Sequence, residues 1–253
     1  MASRDEIIRF CDQTLDALAF TDYGPNGLQV PGTEAVAKVA TCVSAHLESI
    51  ERAIAAGAEL LIAHHGLFWD FHPRALTEPM AARLRAALGA GLNVAGYHLP
   101  LDAHSEIGNN ALLCEALGFT LSPHPFGEAK GSSIGVVGRD PDGISPDELG
   151  ERVRARISAS PLVFNTGPPL IRSIGIISGA GASAIHEAAS LGLDALLTGE
   201  PAEHVMADAR EAKLHFIAAG HYATETFGVR RLGELVAERF GIAHVFIDVP
   251  NPI

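Results

Sequence analysis

Glu59-Leu-Leu-Ile-Ala-His-His-Gly-Leu-Phe-Trp69 is the stretch on which the reading of this chain turns. Residues 60–63 are a short apolar run of the kind that makes a buried strand. The run ends in His64, His65 and Gly66. Neighbouring side chains in a strand point to opposite faces. Two adjacent histidines therefore serve one site only where the strand stops and the backbone turns, and Gly66 permits such a turn. Ligands of open α/β sheets sit just beyond the carboxyl ends of strands. An isolated His-His is equally well a surface or capping pair, so its meaning depends on what surrounds it.

Outward from this stretch the chain alternates strands and helices. Ser3 and Glu6 form a capping box, and Ile7, Ile8, Phe10, Cys11, Leu15 and Leu18 predict an amphipathic helix to about Ala19. Residues 21–27 are a turn-rich connector, and 28–30 a short strand. Strands follow at 36–44, 60–63 and 93–97, and helices at 47–56, 78–88 and 109–117. Farther on, 132–138 and 174–178 read as strands, 140–143 as a turn, and Ser145-Pro146 as a helix start. This βαβα order predicts mostly parallel, covered sheets.

The second half repeats the first. Residues 38–65 align without gaps on 173–200, with Gly57 on Gly192, Leu61 on Leu196 and His65 on Glu200. With a one-residue shift, 94–102 align on 217–225, which sets His98 on His221 and Asp102 on Glu225. The expected architecture is α/β, with two pseudo-symmetric, interlocked lobes, 1–125 and 126–253, mostly parallel sheets, and a site between them where their strand ends meet.

Composition narrows the function classes. Of 253 residues, 18 are Lys or Arg and 30 are Asp or Glu, a formal net charge of -12. A generic nucleic-acid surface needs clustered cations and is excluded. A small anionic ligand held by metal is not. The three cysteines, Cys11, Cys42 and Cys114, are far apart and form no C-x-x-C. They predict neither a disulfide framework nor a thiolate metal site, and they fit a reducing cytoplasm. The polar amino terminus is no secretory segment, and no apolar run approaches the roughly 18 residues of a membrane span.

His98-x-x-x-Asp102 and His221-x-x-x-Glu225 each place an imidazole and a carboxylate on one face if the turn is helical. With His64 and His65 they give three or four histidines and two carboxylates. That donor set suits Zn, Mn, Fe or Ni rather than Ca or Mg, and it is large enough for two ions.

Residues 26–30 (Asn-Gly-Leu-Gln-Val), 63–68, 97–102, Thr198-Gly-Glu200 with His204, and 219–225 followed by Gly228 resemble the Nif-three-like family, whose members are often called GTP cyclohydrolase I type 2 homologs. The resemblance covers nearly the whole chain, in the short form without an inserted middle domain. It implies a two-lobed α/β fold, a cytoplasmic homo-hexamer, and dinuclear metal ligands at His64, His65, Asp102, His221 and Glu225. By this resemblance His98 is not a ligand, which leaves it to support the ligands or to transfer protons. Ser44-Ala-His46 stands where the family carries Asp-x-Thr, so a partner of the ligands is lost or replaced by His46.

The expected function is metal-dependent hydrolysis of a small-molecule substrate, a nucleotide or similar anionic heterocycle. A second class is a metal-binding regulatory or storage protein without turnover. A third is a dinucleotide-binding oxidoreductase, because Gly179-Ala-Gly-Ala-Ser-Ala184 follows a strand, opens a helix, and has Glu200 about twenty residues on. Glu200 and His204 are within reach of the site from the second half. His46, His72, His104, His124, His186, His215 and His244 read as surface or internally bonded residues, and Phe68 and Trp69 as core or as walls of a base-sized pocket.

Overall fold

The apolar run at 60–63 is a central strand with parallel neighbours on both sides. A computed structural model describes residues 1–158 and 160–253. Its first part contains β1 (Ala2–Ser3), α1 (Arg4–Thr14), β2 (Gly27–Val30), β3 (Ala35–Val36), β4 (Lys38–Ser44), α2 (Leu47–Ala55), β5 (Leu60–His65), α3 (Glu78–Ala90), β6 (Asn93–Gly96) and α4 (Leu99–Ala103). Then come α5 (Asn109–Ala116), β7 (Thr120–Ala129), β8 (Ser132–Ile144), α6 (Pro146–Arg156), β9 (Leu162–Phe164), β10 (Ile171–Ile177), α7 (Ile185–Ser190), β11 (Ala195–Thr198), α8 (Val205–Ala212), β12 (His215–Ala218) and α9 (His221–Thr224). The chain closes with α10 (Thr226–Phe240) and β13 (Ala243–Phe246). No helix among the described residues is long and apolar enough to cross a membrane.

These elements form two units, one of Met1–Leu101 and Gly228–Val249, the other of Asp102–Phe227 and Pro250–Ile253. The expected boundary at 125/126 falls inside β7. Gly228–Val249 joins the first unit because β13 pairs in parallel with β4 and completes the first sheet.

In the first unit the strand order is β13-β4-β5-β6-β2, parallel except for β2 at the edge. Its core is Ala40, Cys42, Leu61, Ala63 and Val94 of the sheet, packed under Ile50 and Ala53 of α2. The second unit orders its strands β7-β8-β10-β11-β12-β9, and only β10-β11-β12 is parallel. The mostly parallel expectation thus holds for the first sheet, and the second is mixed. Lys130 and Gly131, both with positive φ, join β7 to β8 as a tight hairpin, which only antiparallel strands allow.

Local departures have local causes. The first helix stops at Thr14, because Asp16 takes a left-handed φ of 47°, and Leu18 is left exposed. The turn expected at 140–143 is an irregularity within β8. There the Asp140 carboxylate accepts from the amides of Asp142 and Gly143, and the pairing with β10 shifts register.

The internal repeat extends to individual backbone bonds. Val39 pairs with Leu60 as Ile174 pairs with Ala195. Glu59 Oε2 accepts from the amides of Ala37 and Lys38, and Asp194 Oδ2 accepts from those of Arg172 and Ser173. Gly57 and Gly192 both turn with left-handed φ, 71° and 63°. The third strands correspond one residue away from the expected alignment. Tyr97 N donates to Ala63 O as Ala219 N donates to Thr198 O, so His98 falls at the place of Gly220, not of His221. Gly220, at φ 94°, is the extra residue that the second unit inserts before its histidine.

Asn93, fully buried at the start of β6, ties the first sheet to its edge. Its Nδ2 donates to Thr33 O and Glu59 O, and its Oδ1 accepts from Gly32 N. Each buried backbone group left without a partner costs about 1–3 kcal/mol. Asn93→Ala is therefore expected to lower unfolding free energy by about 2–4 kcal/mol in urea titration. A loss below about 1 kcal/mol would show that solvent replaces the amide there.

Candidate metal centre

β5 carries its ladder two residues beyond the predicted end, through His65. The two imidazoles nevertheless lie side by side, with ring centroids 4.7 Å apart. His98, just after β6, joins them at 5.1 and 5.6 Å, and ring nitrogens of all three lie within 4.8 Å of one another. Gly66 is needed here for space rather than for a left-handed turn. Its φ is not positive, and a Cβ on it would sit 2.3 Å from Gln29 Nε2. Gln29 itself is clamped, accepting from Leu67 N and donating to Pro25 O.

Each of these three rings is oriented through Nδ1. His64 Nδ1 donates to Tyr97 O at 3.0 Å, His65 Nδ1 meets Ser44 Oγ at 3.0 Å, and His98 Nδ1 donates to Asp22 Oδ1 at 2.7 Å. Asp22 is held in turn by Leu99 N, Tyr23 N and Asn26 Nδ2. Burial works to raise its pKa, but the hydrogen bond and charge of His98 outweigh that and hold the carboxyl below its ordinary value. The replacement of Asp-x-Thr is also resolved. Ser44, not His46, partners His65, while His46 caps α2 reciprocally with Ser49.

Asp102, His221 and Glu225 belong to the second unit. His221 opens α9, and Glu225 follows directly after it. His221 Nε2 lies 3.1 Å from Glu225 Oε1, and its Nδ1 bonds Glu200. Burial works to lower the pKa of this ring, but Glu225 and Glu200 together push it up to about 9. Asp102 is buried, and its Oδ1 accepts from Asn109 Nδ2 at 2.8 Å and Ser178 Oγ at 3.0 Å. Gly179, next to Ser178, has φ 63°, and a Cβ on it would fall 2.5 Å from Glu225 Oε1 and 3.2 Å from His221 Nε2. The end of β10 therefore has room for nothing larger than glycine beside these donors.

These contacts also account for the glycine-rich loop. Gly179 makes way for Glu225, a Cβ on Gly181 would fall 2.3 Å from Ile177 Cγ2 and 2.8 Å from Thr198 Oγ1, and Glu200 is engaged with His221. None of the three is left to serve a pyrophosphate and ribose, so the dinucleotide reading is set aside. Asp22, Asn109 and Ser178 carry no mark of their role in the sequence. Only the polar crowding of the 21–27 connector points toward the first.

Several other histidines are internally bonded, as expected. His244 pairs with Thr41, His215 with Pro168 O, and His104 caps Glu106 and Ile107. Burial pushes the thiols of Cys42 and Cys114 up to about 12, so they are not thiolate donors at neutral pH.

Beside the histidines of the first unit lies a cavity of about 630 Å³ lined by Phe68, Trp69, Arg74 and Arg83 among others. Trp69 lies nearly perpendicular to His98, with centroids 5.0 Å apart, and stacks on Phe71 at 5.6 Å.

Comparison with known proteins identifies the chain's relatives. A Deinococcus radiodurans protein called GTP cyclohydrolase 1 type 2 homolog is 42% identical over 248 residues, covering 98% of this chain and 94% of that relative. A solved structure described as protein ybgI, unknown function, is 38% identical with a TM-score of 0.93, each chain covered in full. A crystal structure of TTHA1606 from Thermus thermophilus is 33% identical with a TM-score of 0.89, again over both whole chains. Residues 2–252 match the family described as Duf34/NIF3 (NGG1p interacting factor 3), and the chain belongs to that family.

Proposed function

We propose that His64, His65, Asp102, His221 and Glu225 together hold two divalent transition-metal ions, and that the protein is a metal-dependent hydrolase of a nucleotide or similar small anionic heterocycle. In this reading the two units are pseudo-symmetric lobes with the ions between them, and the working form is a cytoplasmic homo-hexamer. The relatives' name, GTP cyclohydrolase 1 type 2 homolog, points to the same substrate class.

The observation that carries the proposal is the orientation of the donors. His64, His65 and His221 are each held through Nδ1, by a carbonyl, a hydroxyl and a carboxylate, and so present Nε2. Ligating histidines are characteristically fixed in this way. Imidazoles with two carboxylates fit Zn, Mn, Fe or Ni, and the absence of a side chain at Gly179 lets Glu225 and His221 bring their donor atoms close to the backbone there. When bound, the ions supply Lewis acidity and make hydroxide available near neutral pH.

The remaining steps belong to the chain. Asp22 takes the Nδ1 proton of His98 as a hydrogen bond, so Nε2 is the atom through which that ring exchanges a proton with the reacting group. The same carboxylate stabilises the ring once it is protonated. The cavity beside Trp69 has a volume usual for small-molecule sites. Its indole face suits a heterocycle, and Arg74 and Arg83 suit phosphate or carboxylate oxygens. In a chain of net charge -12 such a cationic lining is a local exception.

Purified protein is expected to contain close to two transition-metal equivalents per chain by elemental analysis. His65→Ala and Glu225→Ala are each expected to reduce occupancy strongly. Full occupancy in both variants would remove these residues from the ligand set.

Chelation is expected to abolish turnover of nucleotides or phosphoesters, and re-metallation to restore it. His98→Ala and Asp22→Asn are expected to keep their metal but lose roughly 10²-fold or more in rate. Unchanged rates in both would end the proton-transfer role. A fully metallated wild type inert toward such a panel would favour the regulatory or storage reading instead.

A further inference from the structure

We propose a second transition-metal site in the Asp102–Phe227 unit, formed by His186, His204 and Asp208 and open to solvent. From sequence His186 reads as a surface or internally bonded residue, and His204 as one within reach of the other site. The fold makes them converge. His186 is on α7, Asp208 is on α8, and His204 precedes the first residue of α8. His204 Nδ1 lies 2.7 Å and His186 Nε2 3.7 Å from the same carboxylate oxygen, Asp208 Oδ2. The two imidazoles stack nearly parallel, 11° between planes and 6.1 Å between centroids. One donor atom from each residue falls within a 4.8 Å spread.

Size and rigidity support a metal rather than a bare ion pair. Two ligands each about 2.0–2.1 Å from a tetrahedral zinc lie about 3.3 Å apart. The two separations to Asp208, 2.7 and 3.7 Å, lie on either side of that value, and the side chains that must rotate to close the site are exposed or half-buried. The backbone beneath is already set. Ile185 and Ala188 flank His186 on buried positions of α7, and Val205 and Ala209 do the same on α8. His204 and Asp208 stand four apart, the spacing that puts two donors on one helix face. A third donor from a different helix then fixes the angle between them. Two imidazoles and one carboxylate select Zn, Ni or Cu over Mg or Ca. With three protein ligands and the rest water, the ion is exchangeable and held more weakly than a pair of ions enclosed by five shared ligands.

The site is independent of the five residues of the proposed dinuclear centre, and its test keeps the two apart. Zn²⁺ binding is measured by equilibrium dialysis on the full chain, with circular dichroism to confirm the fold. Wild type is expected to take up one weaker equivalent beyond its tight ones. His186→Ala/His204→Ala is expected to lose that equivalent and retain the rest, and Asp208→Asn to weaken it at least tenfold. His65→Ala/Glu225→Ala is expected to retain it while losing the tight equivalents. If His186→Ala/His204→Ala matches wild type in number and affinity of zinc ions, the proposal is overturned. If wild type takes up the weak equivalent and no tight ones, this site stands and the dinuclear centre falls.

Discussion

Parallel strands joined by crossovers leave their carboxyl ends along one edge of a sheet, and this constraint shapes each unit. In the first, β4, β5 and β6 run side by side and finish at Ser44, His65 and Gly96. Ser44 faces His65 in the ladder, and His98 follows two residues after the end of β6. In the second, β10, β11 and β12 finish at Ile177, Thr198 and Ala218, and Ser178, Gly179, Glu200 and His221 follow within three residues of those ends. The opposite edge does the complementary work. There Glu59 and Asp194 bind the first amides of the neighbouring strand and lock the register that brings those ends level.

At the carboxyl edges, position alone would not make a site, because an imidazole on a single bond can turn. What removes that freedom is the acceptor at each Nδ1, and every acceptor comes from a different element. Tyr97 O follows β6, Ser44 ends β4, Asp22 lies in the connector before β2, and Glu200 follows β11. Rings arranged before a ligand arrives do not have to be ordered by it, which lowers the cost of binding. The same bonds make the arrangement brittle. Altering any acceptor frees a ring without touching a donor.

The strand ends and their histidines were legible in sequence because they depend on short-range pattern: an apolar run, a break, and polar residues at fixed offsets. The repeat was legible for the same reason, down to Glu59 standing for Asp194. The acceptors were not. Asp22 and His98 are seventy-six residues apart, and Ser178 and Asp102 equally so. Nothing local marks one as the other's partner. The β7–β8 hairpin was hidden because Thr120–Ala129 is polar and carries two prolines, Pro123 and Pro125, against strand preference. The one-residue slip at Gly220 was absorbed by matching histidines to each other, whereas the backbone ladder counts strand residues and places the extra residue after β12. The three-residue cluster on α7 and α8 was invisible for a further reason, since helix packing rather than sequence spacing brings His186 to Asp208.

The return of β13 to the first sheet gives the chain an order of assembly during synthesis. Most of the second unit is one continuous stretch, Asp102–Phe227, whereas the first waits for Gly228–Val249. From the emergence of β4 until Ala243 leaves the ribosome, the flank of β4 that later receives β13 has no strand to pair with. At ordinary elongation rates that interval is on the order of 10 s. An open parallel edge is a template for pairing with another chain. The nascent protein therefore passes through a stage in which every strand of its second sheet has emerged and its first sheet still lacks one, and β13 acts as the stave that closes the wall.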